Sequence, residues 1–469
     1  MSDITPRNPE LYATVHAFVH AAAVALTDAT AAGQSPVFQV SLPRWHEDEL
    51  GRFVLDFERL YLRLEGQILA TLPEHTTAVE ALERDPIIAP QLGQVVGSML
   101  GQVIMTAPMI LQSAVTAAVN LPGSLTINDG KFDAFYTELE GYLYSPTIQV
   151  TTLTPLLRIG GYPRGSVTMS PETVVAQLDA PEVERCLSVG VPNTFGPPFF
   201  ANDPPLWGVR TTGTVPKLVG VTASANVAEF EAFIARGDAE RDRAVAALRL
   251  HKHGRVAPLA TLRFPFPHLG IGSGTSVAIL GPGQHMFVTY TISEEESPSI
   301  ARLATTLGAK SVISDRSLQN AMRRFSYAGD RTRDEDRLVD LLIAAESLFL
   351  GGSRDTEVRY RLSLYAATLL GNSAETRRDI ARTMRNAYDV RSDVVHGRRP
   401  DAQSLGTIKD RARTLAEFTD VVEDIVRRGV LRLSDLAHAA RAGRQPIDWD
   451  DLLLGEPDGP KSGGQDTAP

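Results

Sequence analysis

Residues 334–399 read DEDRLVDLLIAAESLFLGGSRDTEVRYRLSLYAATLLGNSAETRRDIARTMRNAYDVRSDVVHGRR. Three apolar stripes of helical period run through this stretch, each closed by a stop signal. Leu338, Leu341, Leu342, Ala345, Leu348 and Phe349 form the first, ended by Gly351 and Gly352. Val358, Leu362, Tyr365, Ala366 and Leu369 form the second, ended by Gly371. Ser373, with Glu375 and Thr376 behind it, has the pattern of a helix cap, and Ile380, Met384, Ala387 and Tyr388 follow up to His396 and Gly397. Connections this short between stripes this long predict an antiparallel bundle.

The pattern continues on both sides. Leu405, Ile408, Ala412, Leu415, Val422 and Ile425 predict a fourth helix ending at Gly429, and the bundle is placed at 301–455. The end, EPDGPKSGGQDTAP, has the composition of a disordered tail over 456–469. Upstream, 145–300 alternates Thr, Val, Ile and aromatic runs with Gly and Pro, as in PTIQVTTLTPLLRIGGYPRGSVTMS, and reads as a mixed α/β domain with a mostly antiparallel sheet. Asn226 is the expected cap of a helix there, running to Leu250. Residues 1–144 read as mainly helical, on the spacing of Leu50, Phe53, Val54, Phe57, Leu60 and Leu64. The expected fold class is therefore α+β: a helical and mixed α/β region followed by an all-α bundle.

From Pro86 to Asn128 the chain carries no charge. The window 95–119 is long enough for a membrane span, and Gly93, Gly97 and Gly101 have small-xxx-small spacing. Gln94, Gln102, Gln112 and Pro108 in or beside the window, and the lack of a basic flank, favour a buried pair of closely packed helices. A membrane partner is not expected.

The 469 residues suffice for roughly three domains of ordinary size. At 43% hydrophobic and 22% charged they can fill real cores. One cysteine, Cys186, excludes an intrachain disulfide framework and any cysteine-built zinc site. The start, MSDITPRNPE, has no secretory pattern, so a reducing cytoplasm is the expectation. A net charge of −10 gives no global attraction to nucleic acid, but the charge is uneven. Residues 1–300 carry a net −11, whereas 301–455 carry +3, with arginine at every basic position there except Lys310 and Lys409. Arginine offers a fork of donors that fits phosphate.

There is no GxxxxGK[ST] phosphate loop, no HExxH and no GxSxG elbow. Gly270, Gly272 and Gly274 precede a strand-like SVAIL and read as a turn. His251 and His253 read as a solvent-facing turn without acids nearby, and Asp448, Asp450 and Asp451 as caps of a short helix. His16, His20, His46, His75, His268, His285 and His438 show no spacing that asks for catalysis. No metal site and no cofactor are expected.

Arg391 and His396 stand apart. Five positions on a regular helix rotate about 140°, so the two side chains diverge unless the helix ends, which Gly397 permits. Histidine is the natural proton-transfer group for attack of a ribose 2′-hydroxyl on the adjacent phosphate. An arginine beside it can hold that phosphate.

Residues 320–430, with Glu346 in the first long helix and the block Tyr-x-x-Arg-Ser-x-x-Val-His-Gly at Tyr388 to Gly397, resemble the Apea-like branch of the HEPN superfamily. The resemblance implies a helical bundle that forms a homodimer or higher oligomer and cuts RNA without a metal, using the Arg-x4-6-His motif of both copies. It implies Arg391 on the scissile phosphate and His396 as general base or acid, supported by Glu346, Tyr388 and Ser392. Arg385, Arg398 and Arg399 would then contact RNA. The position after the motif arginine is often Asn, Asp or His in that superfamily and is Ser392 here. Many proteins of this type belong to prophage or abortive-infection defence, so the expected function is an endoribonuclease effector of such defence or of a toxin-like system, with RNA as the substrate, tRNA as one candidate RNA and a phage-derived product as the candidate trigger. The acidic residues 1–300 would sense that trigger or restrain cutting. A non-catalytic dimerising module that binds RNA or a protein is the alternative.

Overall fold

A computed structural model describes residues 5–454 apart from 35–36, 39–40, 48–52, 61–62, 65, 97–102, 120–124, 158, 163–164, 180–181, 183–185, 187–206, 218, 220–223, 267–275, 280–289, 352–356, 399–413 and 440–448. The chain mixes helices with an antiparallel sheet and divides into two compact units. Residues 1–244 and 258–297 make the first, and 245–257 and 298–469 the second.

In the first unit, helix α1 (Pro9–Ala31) starts at Asn8, whose side chain accepts from the Leu11 amide, with Pro9 opening the helix. Its buried face of Leu11, Val15, Phe18, Val19, Ala22 and Leu26 shares one core with α2 (Pro73–Arg84), α3 (Ala107–Ala118) and α4 (Asp129–Tyr144). The same core contains Ile148, Val150 and Val215 from the sheet. It therefore runs across the 144/145 boundary drawn from the sequence: these helices cover the apolar face that the strands could not bury alone.

Residues 41–47 and 53–60 depart from the helical expectation, and Leu50 lies outside the described residues. β1 (Ser41–Glu47) and β2 (Phe53–Leu60) pair antiparallel, with Trp45 opposite Leu55 and Glu47 opposite Phe53. Phe53, Leu55 and Phe57 also alternate with period two, and aromatic and branched side chains favour the extended form. The uncharged segment departs as well. Val95–Val96 and Val103–Ile104 form a short antiparallel pair, and the α-helix described in this segment is α3, which Thr106 caps. Gly97 and Gly101 lie outside the described residues. No helix among the described residues is long and apolar enough to cross a membrane.

The main sheet of the first unit contains β3 (Thr147–Leu157), β4 (Ser166–Ser170), β5 (Thr173–Gln177), β6 (Trp207–Pro216), β7 (Ala260–Phe266) and β8 (Ser276–Ile279). Its order is β8-β7-β3-β6-β5-β4, and every pairing along this path is antiparallel. Helix α5 (Ser224–His251) starts two residues before the expected cap, so Asn226 lies in its first turn. Glycines on both sides of the helix–sheet contact allow close approach: a Cβ at Gly213 of β6 would strike the Phe233 ring, and one at Gly237 of α5 would meet Thr152 at 3.3 Å. Trp207 is fully buried with Gly161 and Gly165 against its ring.

The second unit is the helical bundle: α6 (Arg316–Asp330), α7 (Asp334–Leu350), α8 (Val358–Leu370), α9 (Ala374–Val395) and α10 (Leu415–Ala439). The predicted stripe on α7 is buried throughout. Gly351 ends α7 in the left-handed region at φ 56°, and Gly371 ends α8. Ser373 caps α9 in a reciprocal box with Thr376. Helix α10 does not stop at Gly429. That glycine is buried in mid-helix, where a Cβ would come within 2.9 Å of Phe349 Cζ, so it serves helix packing rather than termination. Leu405, Ile408 and Ala412, the GIGSG segment and the tail lie outside the described residues.

Candidate active site

Helix α9 carries both predicted residues and stays helical up to His396, so the two side chains leave it about 140° apart, as five positions of regular helix require. The Arg398 amide donates to Asp393 O at 2.8 Å and the Gly397 amide to Val394 O at 3.0 Å, while Gly397 takes φ 73°. This double closure is a Schellman end, which requires a residue at ease in the left-handed region. It makes His396 the C-cap of the helix, with its amide on Ser392 O at 3.1 Å and its side chain exposed.

Arg391 sits one turn earlier and is held on two sides. Its Nη1 donates to Glu346 Oε1 of α7 at 3.1 Å, and its guanidinium carbon lies 5.8 Å from the centre of the Tyr388 ring. Ion pair and ring contact together restrict a side chain that is otherwise costly to order. A quarter of the Arg391 side chain remains exposed, so it is restrained yet open to a solute. Its Nε is buried with no hydrogen-bond partner among the described residues.

The remaining predicted residues spread along the same helix. Ser392 is exposed beside Arg391, and Arg398 is exposed with Asp393 3.8 Å away. Arg385 is exposed two turns earlier, with its Nε on the carbonyl of Ala381. Arg399 lies outside the described residues. Thus Arg391, Glu346 and Tyr388 are in contact, and His396, Ser392 and Arg398 occupy the adjoining solvent-facing end of α9. An imidazole and a guanidinium on one open helix end can together exchange a proton and bind an anion.

Two histidine clusters escaped the sequence reading. His16 and His20 both meet Asp129 in the first unit. In the second unit, His253 does have acids nearby: Asp420 at 4.0 Å and Glu423 at 3.7 Å. The i, i+4 spacing of His16 and His20 on an amphipathic helix was a visible cue, since it puts both rings on one face. Their carboxylate partner is more than a hundred residues away in sequence and gave no cue.

No family model matches the chain, and no curated protein or solved structure matches it.

Proposed function

We propose that the helical bundle is a metal-independent endoribonuclease, an effector of antiphage defence or of a toxin-like system that works as a homodimer. The observation that carries this reading is the placement of a restrained, solvent-accessible Arg391 five positions before an exposed His396 at the C-terminal end of one helix. In the proposed reaction the His396 imidazole removes the proton of a ribose 2′-hydroxyl, and that oxygen attacks the neighbouring phosphorus. Arg391 binds the phosphate oxygens and offsets their growing charge. The bond to the 5′-oxygen breaks, and an imidazolium from a second copy of the chain supplies its proton. The products are a 2′,3′-cyclic phosphate and a 5′-hydroxyl, and no atom is left unbalanced. Glu346 and Tyr388 act by keeping the guanidinium in place.

Incubating the purified full chain with total cellular RNA in EDTA tests this reading. Cleavage with 2′,3′-cyclic phosphate ends, lost in His396→Ala, supports it, and sequencing those ends identifies the substrate. Intact RNA after prolonged incubation with wild type defeats it.

One observation favours a second reading. A guanidinium paired with a carboxylate and resting on a ring is also a structural anchor, which suits a dimerising module that binds RNA or protein without cutting. A wild type that retains RNA in a gel shift but leaves it uncut supports that module.

A further inference from the structure

We propose that His16, His20 and Asp129 bind one first-row divalent cation of the zinc class, with a coordination position left open to water. His16 and His20 lie one turn apart on α1, and Asp129 is the first residue of α4. Both Nε2 atoms approach the same oxygen, Asp129 Oδ1, at 3.0 Å, and they lie 3.3 Å from each other.

Protons satisfy that triangle only with crowding. Each Nε2 carries at most one hydrogen. If one imidazole donates to the other, the acceptor nitrogen has no hydrogen left for the carboxylate. If both donate to the carboxylate, two N–H groups face each other. A single cation satisfies all three atoms at once. Ligands about 2.0–2.1 Å from a tetrahedral zinc ion are separated by about 3.3 Å, close to the spacing here. Two imidazoles and one carboxylate are a donor set suited to zinc and its neighbours rather than to calcium or magnesium. Three protein ligands at a solvent-exposed position leave room for water as the fourth.

The surroundings hold the ligands in place. The His16 ring stacks on Tyr12 at 5.8 Å and meets the buried Phe132 edge-on at 4.9 Å. The Tyr12 hydroxyl donates to Asp133 at 2.6 Å, and Asn128 caps α4 directly before Asp129. A bound ion would pin α1 to the start of α4 and so close a long loop of chain. The cluster at His253 is a poorer candidate, because Asp420 and Glu423 already serve the Arg337 guanidinium, whose charge opposes a metal ion. The proposed cleavage of RNA takes no step through the His16 cluster.

The test uses the full chain without a histidine tag, stripped with EDTA, dialysed and titrated with zinc chloride in a calorimeter. Cobalt is added separately to read coordination from its visible absorption. Wild type is expected to bind one equivalent at micromolar affinity or tighter and to melt at a higher temperature with zinc. His16→Ala, His20→Gln and Asp129→Asn are each expected to weaken that equivalent at least about tenfold, while His253→Ala leaves it unchanged. These side chains are not core residues, so equal melting temperatures in EDTA confirm that the variants fold. The proposal is overturned if wild type binds zinc no better than millimolar, or if the equivalent survives in His16→Ala and His20→Gln.

Discussion

Arg391 of α9 donates to Glu346 of α7 at 3.1 Å, with both side chains about a quarter exposed. A pair this open contributes little to stability, on the order of 1 kcal/mol or less. Its consequence lies in where it holds the guanidinium. Glu346→Gln is therefore expected to leave the melting temperature nearly unchanged and to slow the proposed RNA cleavage roughly ten- to hundredfold through misplacement. Arg391→Lys is expected to lose more, because an ammonium cannot grip a phosphate with two parallel donors. Single-turnover cleavage rates beside thermal melts check both, and a Glu346→Gln enzyme that cuts at the wild-type rate removes Glu346 from the site.

The end of α9 gives a second expectation. Gly397 sits at φ 73° with open space around the position of a Cβ, so the cost of Gly397→Ala is purely conformational, about 1 kcal/mol. Gly429 is the opposite case. Its backbone is ordinary helix, but an added methyl meets Phe349, so Gly429→Ala is expected to cost about 1–3 kcal/mol by overpacking. Urea denaturation of the two variants distinguishes strain from crowding, because Phe349→Leu should recover stability in Gly429→Ala and not in Gly397→Ala.

These two glycines also show what was legible beforehand. Gly351, Gly397 and the Ser373–Thr376 cap act on their own neighbours in sequence, so the helix ends of the bundle could be read directly. Gly429 answers to Phe349 on another helix, and from the local pattern it looked like a stop. Residues 53–60 fit a helical and an alternating period at once, and pairing with 41–47 decided between them. For the site, Arg391 and His396 share one helix and were visible together. The His16, His20 and Asp129 cluster needs α1 and α4 side by side, which only folding supplies.

Arg337 gives a third expectation. It is 2% exposed, and its guanidinium reaches Asp420 at 2.6 Å, Glu423 and, at 3.6 Å, Asp334. Replacing it with Met keeps the volume but strips the mostly buried Glu423 of its guanidinium partner, leaving it the exposed His253 at 3.7 Å. Asp420 is more exposed and is compensated by water. The expected loss is about 3 kcal/mol. Arg337→Met combined with Glu423→Leu should recover most of it in chemical denaturation, whereas an additive double variant would show that the two groups are not coupled.

A fourth expectation concerns alkaline pH. Lys217 is 8% exposed and donates to the carbonyls of Tyr142 at 2.8 Å and Leu143 at 2.9 Å, at the end of α4. Burial pushes its ammonium down from the ordinary 10.5 to about 8. Between those values the unfolded chain holds the proton and the folded one releases it, so unfolding takes up protons and stability rises with pH. Burial also pushes the Tyr142 hydroxyl up to about 12, with the opposite effect above pH 10, so the clean window is pH 8 to 10. Across it, wild type should gain roughly 1–2 kcal/mol relative to Lys217→Met, which has no proton to release. Paired urea titrations at four pH values measure that difference. A gap that stays flat from pH 8 to 10 would mean that the two carbonyls stabilise the ammonium as well as water does.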